Sequence, residues 1–203
     1  APPTDAGALL DAIGEEAFAP LVAANFLDHA WRARWRAHAP AYLDWQKSRE
    51  QEGWRFVTGE AKRIRRFRLD DGAELCLNGR LDRVDHRGDV ESVLDYKVQT
   101  RAALRKRLAA EGEDVQLAAY VLLQGERVVE AAYVGLDDEQ PGEVALAEAR
   151  DAAARQAERL VALFSALRAG AGLPAHGAAP VCERCEARGL CRRDYHEIQA
   201  GSS

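Results

Sequence analysis

Two short apolar segments separated by a tight turn constrain this chain more than any other feature. Residues 73–85 alternate apolar with polar side chains, residues 90–98 contain the apolar pair Val93 and Leu94, and Arg87, Gly88 and Asp89 lie between the two segments. Period-two alternation before a glycine-containing turn and an apolar segment after it are typical of two adjacent antiparallel strands. We therefore expect a β-hairpin around which the remaining elements pack.

The rest of the chain predicts helices on either side of further strands. Pro20 and Pro40 are expected to mark breaks or first turns of helices, because proline lacks the amide hydrogen that a helix interior needs. The order of elements indicates an α/β fold with a short mixed sheet flanked by helices, its functional edge on the second and third strands. Helices are predicted at 5–17, 21–49, 101–110, 114–124 and 143–169, and strands at 54–69, 73–85, 90–98 and 127–136.

Each strand of the hairpin carries an acidic residue. Asp95 and Lys97 point the same way because side chains alternate along a strand, and Asp82 can join them if the strands pair. Two carboxylates and an ammonium can hold a hard divalent cation and polarise a water, as phosphodiester hydrolysis requires. The alternative is a solvated, salt-bridged surface, the commoner setting of an isolated Asp-x-Lys. Gly79 allows a close approach to the backbone.

A third motif lies in a predicted helix. Gln116 and Tyr120, in Gln-Leu-Ala-Ala-Tyr, are one turn apart on one helix face. With Gly-Arg-Leu-Asp-Arg-Val-Asp at 79–85 and Leu-Asp-Tyr-Lys at 94–97, this motif resembles the nuclease domain of RecB-type and AddB-type exonucleases of the PD-(D/E)xK superfamily. The resemblance runs from about Trp54 to the C-terminus and implies a restriction-endonuclease-like core.

The resemblance also implies roles for the motif residues. Asp82, Asp95 and the backbone carbonyl of Tyr96 would hold Mg²⁺ or Mn²⁺. Lys97 would orient or activate the attacking water and stabilise charge on the phosphate. Gln116 and Tyr120 would steady the site or contact the DNA strand.

Three cysteines near the C-terminus form a second signal. Cys182, Cys185 and Cys191 have the spacing C-x2-C-x5-C. Soft thiolates so spaced indicate an iron–sulfur cluster or zinc, the alternative being free surface thiols. The arrangement resembles AddB-type and CRISPR-associated Cas-four-type nucleases, which implies a [4Fe–4S] cluster completed by one cysteine far upstream. Cys76 is a poor fourth ligand, because a lone cysteine between two leucines on a strand is typical of a small core residue.

Two features of the resembled family have no counterpart before the first strand: the upstream cysteine and a Gly-x-x-x-His pattern. His29 and His38 follow no glycine at that spacing, and we expect them on a helix surface. We therefore expect a fragment of a longer protein, without the cluster and with weak catalysis. Its expected regions are an N-terminal helical region (1–53), a nuclease core with a long helix (54–180) and a cysteine-rich segment (181–203).

The charge is unevenly distributed. The net charge is −5, yet residues 55–68 contain six basic residues against one acidic, and 97–107 contain five basic residues and no acidic one. Residues 111–159 contain twelve acidic residues against four basic. Basic stretches around the predicted site favour a phosphate-binding groove, the alternative being solvated faces of arginine-rich elements. The arginines expected to bind DNA are Arg63, Arg65 and Arg105.

The resemblance to RecB-type and AddB-type nucleases implies a Mg²⁺- or Mn²⁺-dependent DNA exonuclease domain of a helicase–nuclease or recombination-repair protein. Its expected partners are single-stranded DNA or duplex ends and a helicase subunit or domain. The sequence contains no run of eighteen apolar residues, so it predicts no membrane span. The thiol pattern favours a reducing bacterial cytoplasm. One alternative is a nuclease-fold module that binds DNA or acts as a scaffold without catalysis. A weaker one is a zinc-stabilised DNA-binding domain with an incidental Asp-x-Lys.

Overall fold

The computed structural model describes residues 5–110 and 114–172, together with residues 182, 183, 185–187, 190 and 191. In this part of the chain the helices are α1 (Ala6–Ala24), α2 (Asp28–Gln51), α3 (Arg101–Ala109), α4 (Gln116–Gln124) and α5 (Ala149–Arg168). The strands are β1 (Arg55–Arg68), β2 (Glu74–Arg87), β3 (Val90–Lys97), β4 (Val128–Gly135) and β5 (Gly142–Ala145). The described residues divide into two compact units, one containing those up to 66 and 76–157, the other 67–75 and those from 158 onward.

The strands form one sheet in the order β1-β2-β3-β4-β5. Strands β2 and β3 are antiparallel, as are β4 and β5. Strands β3 and β4 are parallel, because α3 and α4 carry the chain from the end of one strand to the beginning of the other. The predicted α/β fold, a mixed sheet flanked by helices, is therefore confirmed. None of the described helices is long and apolar enough to cross a membrane.

Alternation of side chains gives the sheet two distinct faces. On one face Leu94, Ala132 and Val134 form a buried cluster, against which Trp45 of α2 and Tyr96 of β3 pack. The other face is covered by α4, which contacts β3 and β4 and has most of its side chains buried. Neighbouring residues of β3 therefore face different environments, α2 on one side and α4 on the other.

Helix α4 also approaches β2 closely. A Cβ atom added at Gly79 would lie 2.7 Å from Cδ1 of Leu123, a separation that real side chains do not adopt. The close approach predicted at Gly79 is thus made by Leu123. It lets α4 sit near the strand that carries Asp82.

The two N-terminal prolines lie inside helices, contrary to the prediction. Pro20 is within α1, and Pro40 is within α2. A proline inside a helix removes one backbone hydrogen bond. The two helices pack against each other, and this packing compensates for the lost bonds, which sequence periodicity alone could not anticipate.

Strand β5 replaces the beginning of the predicted helix at 143–169, and α5 begins only at Ala149. Val144 is buried and pairs with Tyr133 of β4. Burial on the sheet outweighs the helical preference of this alanine- and glutamate-rich segment. A strand of four residues is too short for its alternation to be distinguished from the helical pattern that follows.

A buried ion network connects α2 to the sheet. Arg49 donates from Nε to Oδ2 of Asp85 at 2.6 Å and from Nη1 to Oε1 of Glu143 at 2.7 Å. Arg83 donates two further hydrogen bonds to Asp85, at 2.7 and 3.0 Å. The side chain of Asp85 is fully buried, and a buried charge is tolerated only when it is paired. Both arginines are therefore needed to keep the Asp85 carboxylate in the interior.

We predict that Arg49→Ala lowers the free energy of unfolding by about 3–5 kcal/mol, because Asp85 would remain buried without one of its partners. The matched control is Arg80→Ala, which removes an exposed ion pair with Glu60 and should change the free energy by about 1 kcal/mol or less. Urea unfolding followed by circular dichroism measures both. Similar losses for the two variants would contradict this role of the network.

Candidate active site

The carboxylates of the hairpin lie where the pairing of β2 and β3 ends. The last regular pair in this direction is Arg83 with Leu94, and Asp82 and Asp95 each lie one residue beyond it. The amide of Tyr96 donates to Oδ2 of Asp82 at 3.2 Å. The side chain of Asp82 thus takes a backbone donor of the neighbouring strand, which holds the carboxylate beside Asp95.

The first turn of α4 completes this side of the site. Nε2 of Gln116 donates to Oδ1 of Asp95 at 2.7 Å and lies 3.1 Å from the hydroxyl oxygen of Tyr120. Gln116 is the first residue of α4, and Tyr120 follows one turn later on the same face. The structure therefore brings the helical motif to the acidic residue of β3.

Asp95 is the most buried group of the site, with 1% of its side chain exposed. Nζ of Lys97 lies 2.5 Å from its Oδ2, but among the described residues that oxygen accepts no hydrogen bond of good geometry. The contact is an ion pair held by charge rather than by a directed bond. Burial raises the pKa of the Asp95 carboxyl, the nearby charge of Asp82 raises it further, and Lys97 opposes both.

Tyr120 and Tyr96 have different surroundings. Burial and the charges of Asp95 and Asp82 raise the pKa of Tyr120 to about 12, with Gln116 opposing, so its hydroxyl keeps its proton at neutral pH. The ring of Tyr96 points to the opposite face, where its hydroxyl lies 3.0 Å from that of Tyr42. The Tyr96 side chain packs in the fold, and only its backbone belongs to the candidate site.

This donor set fits a hard divalent cation. Mg²⁺ and Mn²⁺ prefer carboxylate and carbonyl oxygens, and two carboxylates here lie close enough for one to raise the pKa of the other. The buried Oδ2 of Asp95 lacks a directed hydrogen bond, as expected of an atom that can accept a cation. The residues that could hold the cation are Asp82, Asp95 and the backbone carbonyl of Tyr96.

Three residues beside the site escaped the sequence analysis. Asp114 accepts hydrogen bonds from the hydroxyl of Tyr133 at 2.7 and 2.8 Å and from the amide of Gln116 at 3.1 Å. Arg107 forms an ion pair with Asp114. A buried tyrosine needs a partner for its hydroxyl, and an aspartate just before an apolar helix is a common capping residue. These residue preferences could have indicated Asp114 and Tyr133, but nothing in the sequence distinguishes Arg107 from the other basic residues of α3.

The predicted DNA-binding arginines are spread over two elements. Arg63 of β1 donates from Nε to Oε1 of Gln124 at 3.0 Å, which places it at the end of α4. Arg65 lies further along β1 and is exposed, and Arg105 is exposed on α3. Arg101, one turn before Arg105, pairs with Asp138. The structure therefore does not gather the three arginines into one cluster.

None of the four cysteines, all within the described residues, forms a disulfide. Cys76 is exposed, contrary to the prediction of a core position, because the leucines on either side of it point inward and alternation turns it outward. The amide of Cys185 donates to the carbonyl of Cys182 at 3.3 Å, and Cys191 is half-buried. Within the described residues, no three His, Cys, Asp or Glu side chains form a group that could hold a metal ion.

One family model covers most of the chain. The family model described as the PD-(D/E)XK nuclease superfamily matches residues 1–192. No curated protein matches the sequence. Among solved structures, the crystal structure of SSO0001 is similar to this chain, with 16% sequence identity and a TM-score of 0.44. That alignment covers 89% of this chain and 79% of the other.

We predict that Asp95→Asn makes the metal-free protein more stable at pH 8. A carboxyl whose pKa is raised by folding destabilises the native state above that pKa, and the penalty disappears as the pH falls and the group takes up its proton. Asparagine keeps the acceptor for Gln116 and removes the buried charge. The thermal midpoint should rise by roughly 2–4 °C per kcal/mol gained, and less at acidic pH. A lower midpoint at pH 8 would contradict this account.

Proposed function

The chain belongs to the PD-(D/E)XK nuclease superfamily, and from this premise we propose that it is a divalent-metal-dependent deoxyribonuclease that hydrolyses phosphodiester bonds. The observation that supports the proposal most is the position of Asp95. One buried carboxylate is in contact with Lys97 and Gln116 and is close to Asp82. A merely solvated hairpin surface, the alternative considered above, would leave such a carboxylate exposed.

In the proposed mechanism Asp82, Asp95 and the backbone carbonyl of Tyr96 would hold Mg²⁺ or Mn²⁺. When bound, the cation lowers the pKa of a water and stabilises charge on the phosphate. The ammonium of Lys97 orients that water and offsets charge that develops on the phosphate oxygens. Gln116 fixes the Asp95 carboxylate through its hydrogen bond.

Tyr120 completes the proposed set of catalytic-site residues. Its hydroxyl stays protonated at neutral pH and can donate a hydrogen bond to a phosphate oxygen or to Asp95. It lies beside Gln116 on the same face of α4. We assign to it the steadying of the site and contact with the DNA strand.

We further propose that the DNA exonuclease belongs to the RecB and AddB type and works with a helicase subunit or domain in a bacterial cytoplasm. The support is the order of the three motifs at 79–85, 94–97 and 116–120. The nuclease core is assigned to 54–180, between a helical region at 1–53 and the cysteine-rich segment at 181–203. Single-stranded DNA or duplex ends are the proposed substrates.

For the cysteines we propose a conditional role. Cys182, Cys185 and Cys191 would bind a [4Fe–4S] cluster only where a fourth thiolate is supplied, since such a cluster needs four ligands. The hydrogen-bonded turn between Cys182 and Cys185 supports their use as a pair. The described residues do not form a ligand group for the cluster, so no catalytic step is assigned to it.

We predict that cleavage of single-stranded DNA requires Mg²⁺ or Mn²⁺ and that Asp95→Asn abolishes it while DNA binding persists. Asp89→Asn, the same change at the exposed turn of the same hairpin, is the matched control and should cleave normally. Millimolar Mg²⁺ should raise the thermal midpoint of the wild type and of Asp89→Asn, but not that of Asp95→Asn, because only folded protein with an intact site binds the cation.

Two outcomes of that experiment would count against the proposal. Cleavage by Asp95→Asn at the wild-type rate would remove the site from consideration. Binding without cleavage by the wild type, in either metal, would instead support a DNA-binding module that retains the nuclease fold.

We also predict that Arg63→Glu, Arg65→Glu and Arg105→Glu each weaken DNA binding and flatten its dependence on salt, because each removes a contribution to phosphate binding. The control is Arg155→Glu, an exposed position within the acidic stretch. Fluorescence anisotropy at several salt concentrations measures affinity and slope together. An unchanged slope would leave these arginines as ordinary surface charge.

A further inference from the structure

Arg107 of α3 is held beside the candidate active site by two buried neighbours. Its Nε forms an ion pair with Oδ2 of Asp114, a side chain that is only 4% exposed. Its guanidinium carbon lies 5.1 Å from the centre of the Tyr133 ring. Tyr133 is fully buried, and its hydroxyl donates to both oxygens of Asp114. The guanidinium is therefore held from two directions by buried side chains that also bond each other.

The same tyrosine ring also contacts the proposed catalytic lysine. Nζ of Lys97 lies 5.4 Å from the centre of the Tyr133 ring. Tyr133 pairs directly with Asp95 across the parallel strands, which explains why one ring reaches both cations. The negative face of an aromatic ring attracts a cation, so Tyr133 keeps Lys97 and Arg107 close despite their like charge.

Within the part of the chain that the structure describes, the terminal nitrogens of Arg107 have no partner and are available to a ligand. Among residues 5–110 and 114–172, a partner is found only for its Nε, and its side chain is 39% exposed. The two terminal nitrogens of a guanidinium form a planar fork that matches the oxygens of a phosphate group. A buried anchor at Nε, on a side chain that is itself partly exposed, is an arrangement that suits a pre-oriented anion-binding side chain.

We propose that Arg107 binds a phosphate group of the DNA strand next to the bond that is cleaved, with Asp114 and Tyr133 as positioning residues. The inference rests on the proposed nuclease function and assigns to it a substrate-binding residue. Arg107 would fix the DNA backbone relative to Lys97, so its loss should raise KM more than it lowers kcat.

Helix α3 provides a matched comparison. Lys106 is exposed and adjacent in sequence, but successive helical residues point about 100° apart, so Lys106 lies on a different face from Arg107. Both side chains carry one positive charge. Replacing either by alanine therefore changes the net charge equally, and only the position differs.

The test measures DNA affinity in the Asp95→Asn background, where cleavage does not interfere. Adding Arg107→Ala should weaken binding of a single-stranded oligonucleotide about tenfold or more, the size expected for a lost hydrogen bond to a charged group. The salt slope should fall by about 0.7, as for one released counterion on a single strand. Adding Lys106→Ala should leave both nearly unchanged. Equal effects of the two substitutions would overturn the inference.

A second measurement separates phosphate binding from a structural effect. Oligonucleotides with a single neutral methylphosphonate, placed at each position in turn, should reveal one position that weakens binding to the Asp95→Asn protein but not to Asp95→Asn/Arg107→Ala. If Asp95→Asn/Arg107→Ala binds every oligonucleotide more weakly than Asp95→Asn does, and by the same factor at every position, then Arg107→Ala disturbs the fold. That result would overturn the inference. Asp114→Asn, added to Asp95→Asn, keeps Arg107 but weakens its anchor. It should lower the affinity for DNA and reduce the effect of the methylphosphonate at the position that Arg107 recognises.

Failure of the inference and failure of the proposed function give different results. If Asp95→Asn alone binds no DNA and the wild type cleaves none, the nuclease proposal fails and this inference with it. If both proteins behave as proposed but Arg107→Ala and Lys106→Ala have the same effect on DNA affinity, only the role of Arg107 is refuted.

Discussion

The neutralisation of one buried carboxylate, Asp85, is the interaction on which the rest of the structure depends. Arg49 from α2 and Arg83 from β2 converge on it, so a helix and a strand are joined through a single charge. Arg83 also donates to the hydroxyl of Tyr96 at 2.9 Å. Tyr96 lies between Asp95 and Lys97 on β3, so the network on one face holds the strand at the point where the opposite face carries the candidate site.

The end of the hairpin ladder explains how the site becomes available. Beyond the pair of Arg83 and Leu94, the amide of Tyr96 turns to the carboxylate of Asp82. A buried amide has to find an acceptor, and here a side chain replaces a strand carbonyl. Asp82 is thereby oriented by a neutral donor, and its negative charge remains available to a cation. Among the described residues Asp82, unlike Asp95, therefore forms no ion pair that a metal would have to displace.

Sequence reasoning reached the elements whose evidence is local. Alternation predicted the hairpin of β2 and β3, and helical spacing placed Gln116 and Tyr120 on one face of α4. It did not reach interactions that depend on distant residues: Arg49 meets Asp85 across 36 positions and Glu143 across 94. It also could not choose among the basic residues of α3, because the distinction between Arg107 and Lys106 depends on where the helix lies against β4. The prediction that Cys76 lies in the core is wrong, because Leu75 and Leu77 point inward and Cys76 between them points outward.

The charges around Tyr133 have a consequence for how the proposed nuclease would bind its substrate. Asp95 with Lys97 and Asp114 with Arg107 are two opposite-charge pairs that meet on one ring, so together they carry no net charge. With the formal charge of Asp82 added, these five side chains carry one net negative charge, which disfavours a phosphate group. A divalent cation would reverse that sign to plus one. Under the proposed function, a bound cation would therefore both activate water and strengthen the attraction of the site for the phosphate backbone of DNA.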